Sequence, residues 1–532
     1  KFAAHGTKLA SLNRYLDQTG MPPVPFSVSG NADITNATYL LDGVVADIDG
    51  NRIALDGTVT SVTGLVGTDL KIEVAIPDLR QAGHLVTELA NLPELPDEPL
   101  TLTTRLAIDG TGFQIDNLEG TLANAEASID GLVGPPPGFV GTDLTIDSDG
   151  PNASLFTAFT GVTVPVAPFK ISGRIQRTED LFLFDRVAVQ LGGHSVSLHG
   201  SLGEAPRLVG TDLELHASGD STALIAELAG FRKLPDHPFR VSGRFKGTPE
   251  RFATDGFEIM LGESDLKGSL EVDIRAKPTV TATVTSNHLD LSHYLKQLEQ
   301  VIDDEPEEGA TPGTTSGSTA ISDKPIDFSP LRRADAEIDI TVGTIQFPLM
   351  VLSEVELVAK LNDGRLEIER LAAIGQDQGH VSGSMVLEPK DDRYFLRTDL
   401  EARQLRLDIA GSTVARMDQP PIDIDINLEA VGATPHELAS TASGAIQLVI
   451  GKGTMDSKVL DLVTADILLT LLNSFNPFAK QDAATEMQCG VALLSIADGL
   501  ATLEPMAFQS DKMTMLGDGR IDLGTEKLNL EW

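Results

Sequence analysis

The stretch PFSVSG, residues 25–30, puts an apolar side chain at every second position behind a proline. The pattern restarts as PLTLTT at 99–104, PFKISG at 168–173 and PFRVSG at 238–243. The prolines Pro25, Pro99, Pro168 and Pro238 are spaced by 74, 69 and 70 residues. A second marker, GTDL, recurs at 67–70, 141–144 and 210–213, with spacings of 74 and 69. Two unrelated markers that share one period identify an internal repeat of about seventy residues. Helix-like segments at 8–19, 78–91, 152–161, 220–230 and 290–301 fall between the strand sets. Several open on a capping residue: Asp78, Asn152, Asp220 or Asp290.

Within one period the texture is that of strands. DLKIEVAI (69–76) sets Leu70, Ile72, Val74 and Ile76 on one face and Asp69, Lys71 and Glu73 on the other. LEVDI (270–274) alternates in the same way. Strict alternation means a sheet with one dry and one wet face. Asp-Gly occurs ten times, at Asp42, Asp49, Asp56, Asp109, Asp130, Asp149, Asp255, Asp363, Asp498 and Asp518, and reads as hairpin turns. The expected fold is mostly β with short helices, built of units holding about four antiparallel strands and one helix. Units starting near 25, 99, 168 and 238 fill residues 1–301. An acidic Ser/Thr/Gly-rich linker or loop occupies 302–326, and further β structure follows over 327–435. The C-terminal region, 436–532, adds a long apolar helix at 457–475.

The formal charge of −38 excludes nucleic acid as a partner, because nothing neutralises a run of phosphates. It also argues against electrostatic docking on an anionic bilayer. One cysteine, Cys489, forms no intramolecular disulfide, and its apolar surroundings mark it as a small buried side chain. No window reaches the ~18 uncharged apolar residues of a membrane-spanning helix. A chain that opens on Lys1 and closes on Trp532 inside a strand-like run reads as part of a longer protein.

No catalytic constellation, metal motif or cofactor loop is present, so neither an enzyme nor a cofactor is expected. The pairs His194/His199 and His288/His293 are each five apart and fall on opposite strand faces. Asp47-x-Asp49-Gly50-Asn51 resembles part of a calcium loop, but Thr58 stands where the twelfth-position Glu belongs, so a hairpin turn is expected. Asp423, Asp425 and Asn427 share one strand face, which reads as a wet face before a cation site. The sequons Asn36-Ala37-Thr38 and Asn152-Ala153-Ser154 lie in a strand connection and at a helix cap.

The dry face then needs a cover. A helix of ten to fourteen residues spans ~15–20 Å at ~10 Å width. Four strands spread roughly 19 Å by 17–20 Å. One helix per period cannot cover that face, so the sheet curls on itself, closes as a sandwich, or leaves an aliphatic groove suited to acyl chains.

The chain resembles the AsmA family of Gram-negative envelope proteins. The resemblance rests on the PFxVSG and GTDL strands and on the tail: SGAIQLVIGKGTMDSKVLDL (443–462), TEMQC (485–489), ADGLATLEPMAFQSDKM (497–513) and GDGRIDLGTEKLNLEW (517–532). It implies an elongated, curled antiparallel β-sheet, the repeating β-groove fold related to bridge-like lipid transfer proteins. It further implies a periplasmic protein held in the inner membrane by an anchor outside this chain. The implied function is phospholipid transport between the membranes and outer-membrane biogenesis, with phospholipid acyl chains and envelope proteins as partners. The competing reading is a scaffold or assembly factor for outer-membrane proteins. On the lipid reading, matched repeat positions give the groove floor. Phe26, Leu100, Phe169 and Phe239 fill the first slot, and Val28, Leu102, Ile171 and Val241 the second. Leu70, Ile72, Val74, Leu144, Ile146, Leu213 and Leu215 come from the GTDL strands.

Overall fold

The computed structural model describes residues 1–13, 21–35, 37–60, 65–83, 95–160, 163–223, 236–275, 277–292, 321–348, 350–406, 418–456, 484–511 and 514–531. The expected helix 457–475, most of the linker 302–326 and the distal parts of the other helical segments lie outside these residues. The fold is mostly β, with 29 strands among the described residues. The chain divides into two compact units, Lys1–Pro249 and Glu250–Trp532.

The first unit is an antiparallel meander. Its strands are β1 (Phe2–Gly6), β2 (Phe26–Thr35), β3 (Thr38–Ile48), β4 (Asn51–Thr60), β5 (Thr68–Ile76), β6 (Leu100–Asp109) and β7 (Gly112–Leu122). They continue as β8 (Ala125–Val133), β9 (Asp143–Gly150), β10 (Phe169–Arg177), β11 (Leu181–Leu191), β12 (His194–Gly203), β13 (Asp212–Gly219) and β14 (Phe239–Gly247). The PFxVSG marker opens every fourth strand, at Phe26, Leu100, Phe169 and Phe239, and GTDL opens β5, β9 and β13. A repeat is therefore four strands, and helical turns at Leu79–Gly83, Ala153–Phe156 and Thr157–Thr160 join one repeat to the next. The Asn152 side chain caps its helical turn by accepting from the Ser154 N–H at 3.0 Å.

Both markers have physical reasons. Proline costs nothing at a strand entrance, where no ladder donor is required. The carbonyls of Pro25, Pro99 and Pro168 accept the N–H of Asp49, Ala123 and Gly192, each 24 residues on, and so close the next-but-one hairpin onto the strand start. Phe169 then packs with Leu79, Leu122, Ala125, Ala153 and Leu155 in a buried cluster, edge-on to Phe156 at 5.1 Å. In GTDL the glycines Gly67, Gly141 and Gly210 have φ of +92°, +89° and +81°, a left-handed turn that glycine adopts freely. The hydroxyls of Thr68, Thr142 and Thr211 accept the N–H of Thr60, Gly134 and Gly203 at 3.2, 2.9 and 3.0 Å.

The Asp-Gly reading holds at four hairpins, Asp49, Asp109, Asp363 and Asp498, but the other six dipeptides lie inside strands. Asp42 and Asp255 sit at β-bulges in the second strand of a repeat, with counterparts between Ile115 and Leu118 and between Phe184 and Val187. Asp56 and Asp130 precede Gly57 and Gly131, where a Cβ would meet the carbonyl oxygens of Asp69 and Asp143 at 2.2 and 2.0 Å. A bulge and a close backbone approach ask for the same backbone freedom as a hairpin turn, so the dipeptide alone does not separate them.

The second unit opens with an antiparallel run of β15 (Arg251–Leu261), β16 (Ser264–Asp273) and β17 (Thr279–Asp290). β18 (Asp335–Gln346) then pairs with β17 in parallel. From there the meander resumes through β19 (Val351–Asn362), β20 (Arg365–Gly375), β21 (His380–Lys390), β22 (Arg393–Leu405), β23 (Ile422–Gly432) and β24 (Ser443–Ile450). β24 and the short β25 (Gly453–Asp456) both pair with β26 (Ala484–Ala497), followed by β27 (Leu500–Ser510), β28 (Thr514–Asp522) and β29 (Lys527–Glu531). Lys277 clips the start of the parallel step, with its Nζ 2.5 Å from Asp335 and 2.9 Å from Asp363. Cys489 is exposed, contrary to its apolar sequence context. A register shift between Met487 and Cys489 keeps Met487 buried and turns the cysteine outward.

The helix Pro435–Thr441 begins with a capping box. The Thr434 hydroxyl accepts the Glu437 N–H at 3.0 Å, and the Glu437 carboxylate accepts the Ala433 N–H at 2.8 Å. His436 on this helix bonds the Gly524 carbonyl through Nε2 (2.9 Å) and Asp323 through Nδ1 (2.7 Å). With acceptors on both nitrogens, the protonated ring is favoured and the pKa of His436 is raised.

Two outcomes are expected. Phe169→Ala lowers unfolding stability by about 3–5 kcal/mol in urea denaturation, because a 6% exposed ring leaves a cavity. His436 contributes stability in full below its ordinary pKa of about 6.5 and loses it as pH rises through the raised value. The melting temperature of the wild type should therefore fall on raising pH through that range, and His436→Gln should flatten the fall.

Candidate functional site

Side chains directly opposite one another in an antiparallel ladder share a face, so the register of β2–β14 can be followed residue by residue. One row runs from Val28 through Ala46, Ile53, Val74, Leu102, Gly120, Ala127, Ser148, Ile171, Val189, Val196 and Ala217 to Val241. A parallel row passes through Leu70, Leu106, Ile115, Gly131, Leu144, Ile175, Phe184, Gly200, Leu213 and Phe245. Between these two lie Leu55, Ile72, Ile129, Ile146, Leu198 and Leu215, and above them Phe26, Leu100, Phe169 and Phe239. All fifteen residues expected from the sequence therefore share one face of the first unit, in four rows. Thirteen strands at ~4.8 Å give roughly 58 Å of ladder.

Burial divides the fifteen. Phe26, Phe169, Leu213 and Phe239 are buried, and the other eleven are half-buried. Phe169 packs against the described helical turns, and Phe26 and Phe239 in the same row are buried as well. The middle rows carry few polar groups, and those are satisfied internally. Ser148, 7% exposed, donates to the Glu126 carbonyl at 2.8 Å. Thr104 reaches the carbonyls of Arg105 and Asp116 at 3.4 Å each. The face thus offers apolar surface with almost no free hydrogen-bonding capacity. Sequence matching of the two markers missed the contributions of the second and third strands, such as Ile53, Leu55, Ile115, Phe184 and Val196. Their signal is the same alternation, shifted by the bulge on the second strands and unbroken on the third.

The opposite face is polar and carries an ion pair at each repeat junction. Arg105 grips Asp69 at 2.7 and 2.6 Å, Arg174 grips Asp143 at 2.6 and 2.5 Å, and Arg244 grips Asp212 at 2.7 and 2.8 Å. These two-pronged bonds hold all three carboxyls below the usual carboxylate range. The face also has a shallow depression of about 350 Å³ lined by Gln190, Ser195, Ser197, His216, Ser218 and Ser242 among others. One repeat earlier, a depression of about 440 Å³ is lined by Thr101, Thr103, Glu119, Glu126, Asp147 and Asp149 among others. Their hydroxyls pair with one another, Ser195 with Ser218 at 2.9 Å and Thr101 with Thr121 at 2.6 Å.

Among the described residues, no group of three or more His, Cys, Asp or Glu side chains is arranged to hold a metal. Asp47 accepts the Gly50 N–H in a hairpin turn, at 3.1 Å. Asp423, Asp425 and Asn427 are engaged by Gln404, Arg403 and Asp399 of the neighbouring strand. His194 bonds the Ser221 carbonyl at 2.8 Å. No described helix is long and apolar enough to cross a membrane.

A protein-family model for the AsmA family matches residues 188–506, more than half of the chain. AsmA family protein YhjG of Escherichia coli (strain K12) is 25% identical over 360 residues, which covers 64% of this chain and 51% of that protein. The chain thus spans about half the length of this curated relative. No solved structure matches the chain.

The ion pairs give a pH test with a definite sign. A depressed carboxyl contributes stability above its ordinary pKa of about 3.9 and loses it as pH falls through the lowered value. The melting temperature should therefore drop on acidification below about pH 4. Replacing Asp69, Asp143 and Asp212 together by Asn should flatten that slope.

Proposed function

Because the chain belongs to the AsmA family, we propose that its apolar sheet face carries phospholipid acyl chains in the periplasm of a Gram-negative envelope. Family membership supports an envelope role. The observation that carries the lipid reading is the run of half-buried aliphatic rows whose polar members are satisfied by backbone carbonyls. Such a surface suits a ligand that needs length and dryness and offers no hydrogen bonds. Head groups would stay in water while hydrocarbon lies on the rows. On this reading the protein takes part in phospholipid movement between inner and outer membrane, tethered by an inner-membrane anchor outside this chain.

The test uses Ile72 and Ile146, which are half-buried in the row between the two long ones. In an Ile72→Asp/Ile146→Asp variant, phospholipid extracted from the purified protein should fall at least about tenfold, since two charges make hydrocarbon contact prohibitive. The circular dichroism spectrum should be unchanged. Wild-type protein free of phospholipid by mass spectrometry would favour the scaffold for outer-membrane proteins. Loss of the β spectrum in the variant would show these positions to be ordinary core.

A further inference from the structure

The residues just ahead of GTDL repeat as well: Leu65-Val66, Phe139-Val140 and Leu208-Val209. They form the turns that join the third and fourth strands of three successive repeats, all at one end of the first unit's strands. Leu65, Phe139 and Leu208 have φ of +58°, +52° and +52°. At Phe139 and Leu208 the N–H closes a helix-like turn onto the carbonyl of Pro135 or Glu204, at 3.1 and 2.9 Å. The left-handed residue that ends such a turn is ordinarily glycine, and a bulky side chain there is unfavourable. Three large apolar residues hold this position nonetheless.

In two of the three copies they do not fill a core: Leu65 is 47% and Val66 42% exposed, Phe139 49% and Val140 38%. Leu208 and Val209 in the third copy are half-buried. The surrounding loop sequences 60–67 and 134–141 carry no charge in a chain of net charge −38. The third, 203–210, carries Glu204, which pairs with Arg177, and the exposed Arg207. The turns also border the apolar face. Gly67 donates to the Ile108 carbonyl at 2.8 Å and Gly141 to the Arg177 carbonyl at 2.8 Å, and the pairs Ile108–Phe113 and Arg177–Phe182 lie one step beyond the row that runs from Leu70 to Phe245. Ile34, 68% exposed, stands at the same end. Four strands at ~4.8 Å space these apolar tips by about 19 Å.

We propose that this rim docks the first unit on an uncharged lipid surface, with the exposed pairs Leu65-Val66 and Phe139-Val140 as the inserted contacts and the half-buried Leu208-Val209 beside them. The choice of lipid over protein follows from comparing the three copies. Apolarity is kept while shape is not, since Phe replaces Leu and the flanks differ as TSVTG, GPPPG and GEAPR. A partner without fixed shape accepts that variation, whereas a packed protein interface does not. Insertion by apolar tips also fits an acidic protein, whose charge repels anionic head groups. The proposal rests on the lipid-carrying reading for the rim's partner, and its test is read out separately.

The test is flotation of the full chain with vesicles of phosphatidylcholine and phosphatidylethanolamine. A Leu65→Gly/Phe139→Gly/Leu208→Gly variant should bind at least about tenfold less, because the inserted side chains are gone. Its melting temperature should not fall, because glycine accepts the left-handed turn. Its co-purifying phospholipid should match the wild type. Phe139→Trp should strengthen flotation at unchanged melting temperature, as interfacial indoles do. Wild-type protein that does not float, a glycine variant that floats equally, or a glycine variant whose melting temperature drops would each overturn the proposal. An Ile72→Asp/Ile146→Asp variant that loses its lipid yet still floats leaves the rim standing while marking the face.

Discussion

Everything in the first unit depends on one constraint: the side-chain period of a strand is two, so a slip of one residue exchanges the dry and wet faces. A meander of consecutive strands has many chances to slip. The GTDL strand is built against it, because three of its residues act in three directions. The threonine hydroxyl ties back the preceding turn, the aspartate locks to an arginine on the next strand, and the leucine enters the apolar row. With Thr142, Asp143 and Leu144 each engaged, no other register satisfies all three.

The bulge in the second strand works against the same background. It adds one residue to a strand and would flip the face downstream if the pairing did not absorb it locally. The close approach of Gly173 to Val187, where a Cβ would lie 2.5 Å from a backbone carbon, shows how tightly strands meet at the bulge. Thr104 takes the corresponding place in the second repeat and is buried. Local backbone irregularity therefore accompanies a face that stays uniform across thirteen strands.

Much of this was legible from the sequence. The repeat length, the four strands per repeat and the shared face of Leu70, Ile72 and Ile171 all follow from period-two alternation and from markers at equal spacing. Three features were not. Asp42-Gly43 and Asp49-Gly50 look alike in sequence, yet one is a bulge and the other a hairpin, because both need only backbone freedom. Cys489 is turned outward by a register shift that no residue type announces. Leu65, Phe139 and Leu208 each head a repeated apolar pair, but their significance lies in a positive φ and, for Leu65 and Phe139, in exposure, which only coordinates supply.

The parallel pairing of β17 with β18 bears on how the chain acquires its structure. In the first unit every strand pairs with its neighbours in sequence, so contacts are local and each hairpin can template the next as the chain lengthens. At β17 that zippering stops. The next partner, β18, begins at Asp335, 45 residues beyond Asp290 where β17 ends. Closing so long an excursion carries an entropic cost before any ladder bond is returned. The first unit can thus be complete before this pairing forms, with Lys277 placed at the strand start to capture Asp335 when it arrives.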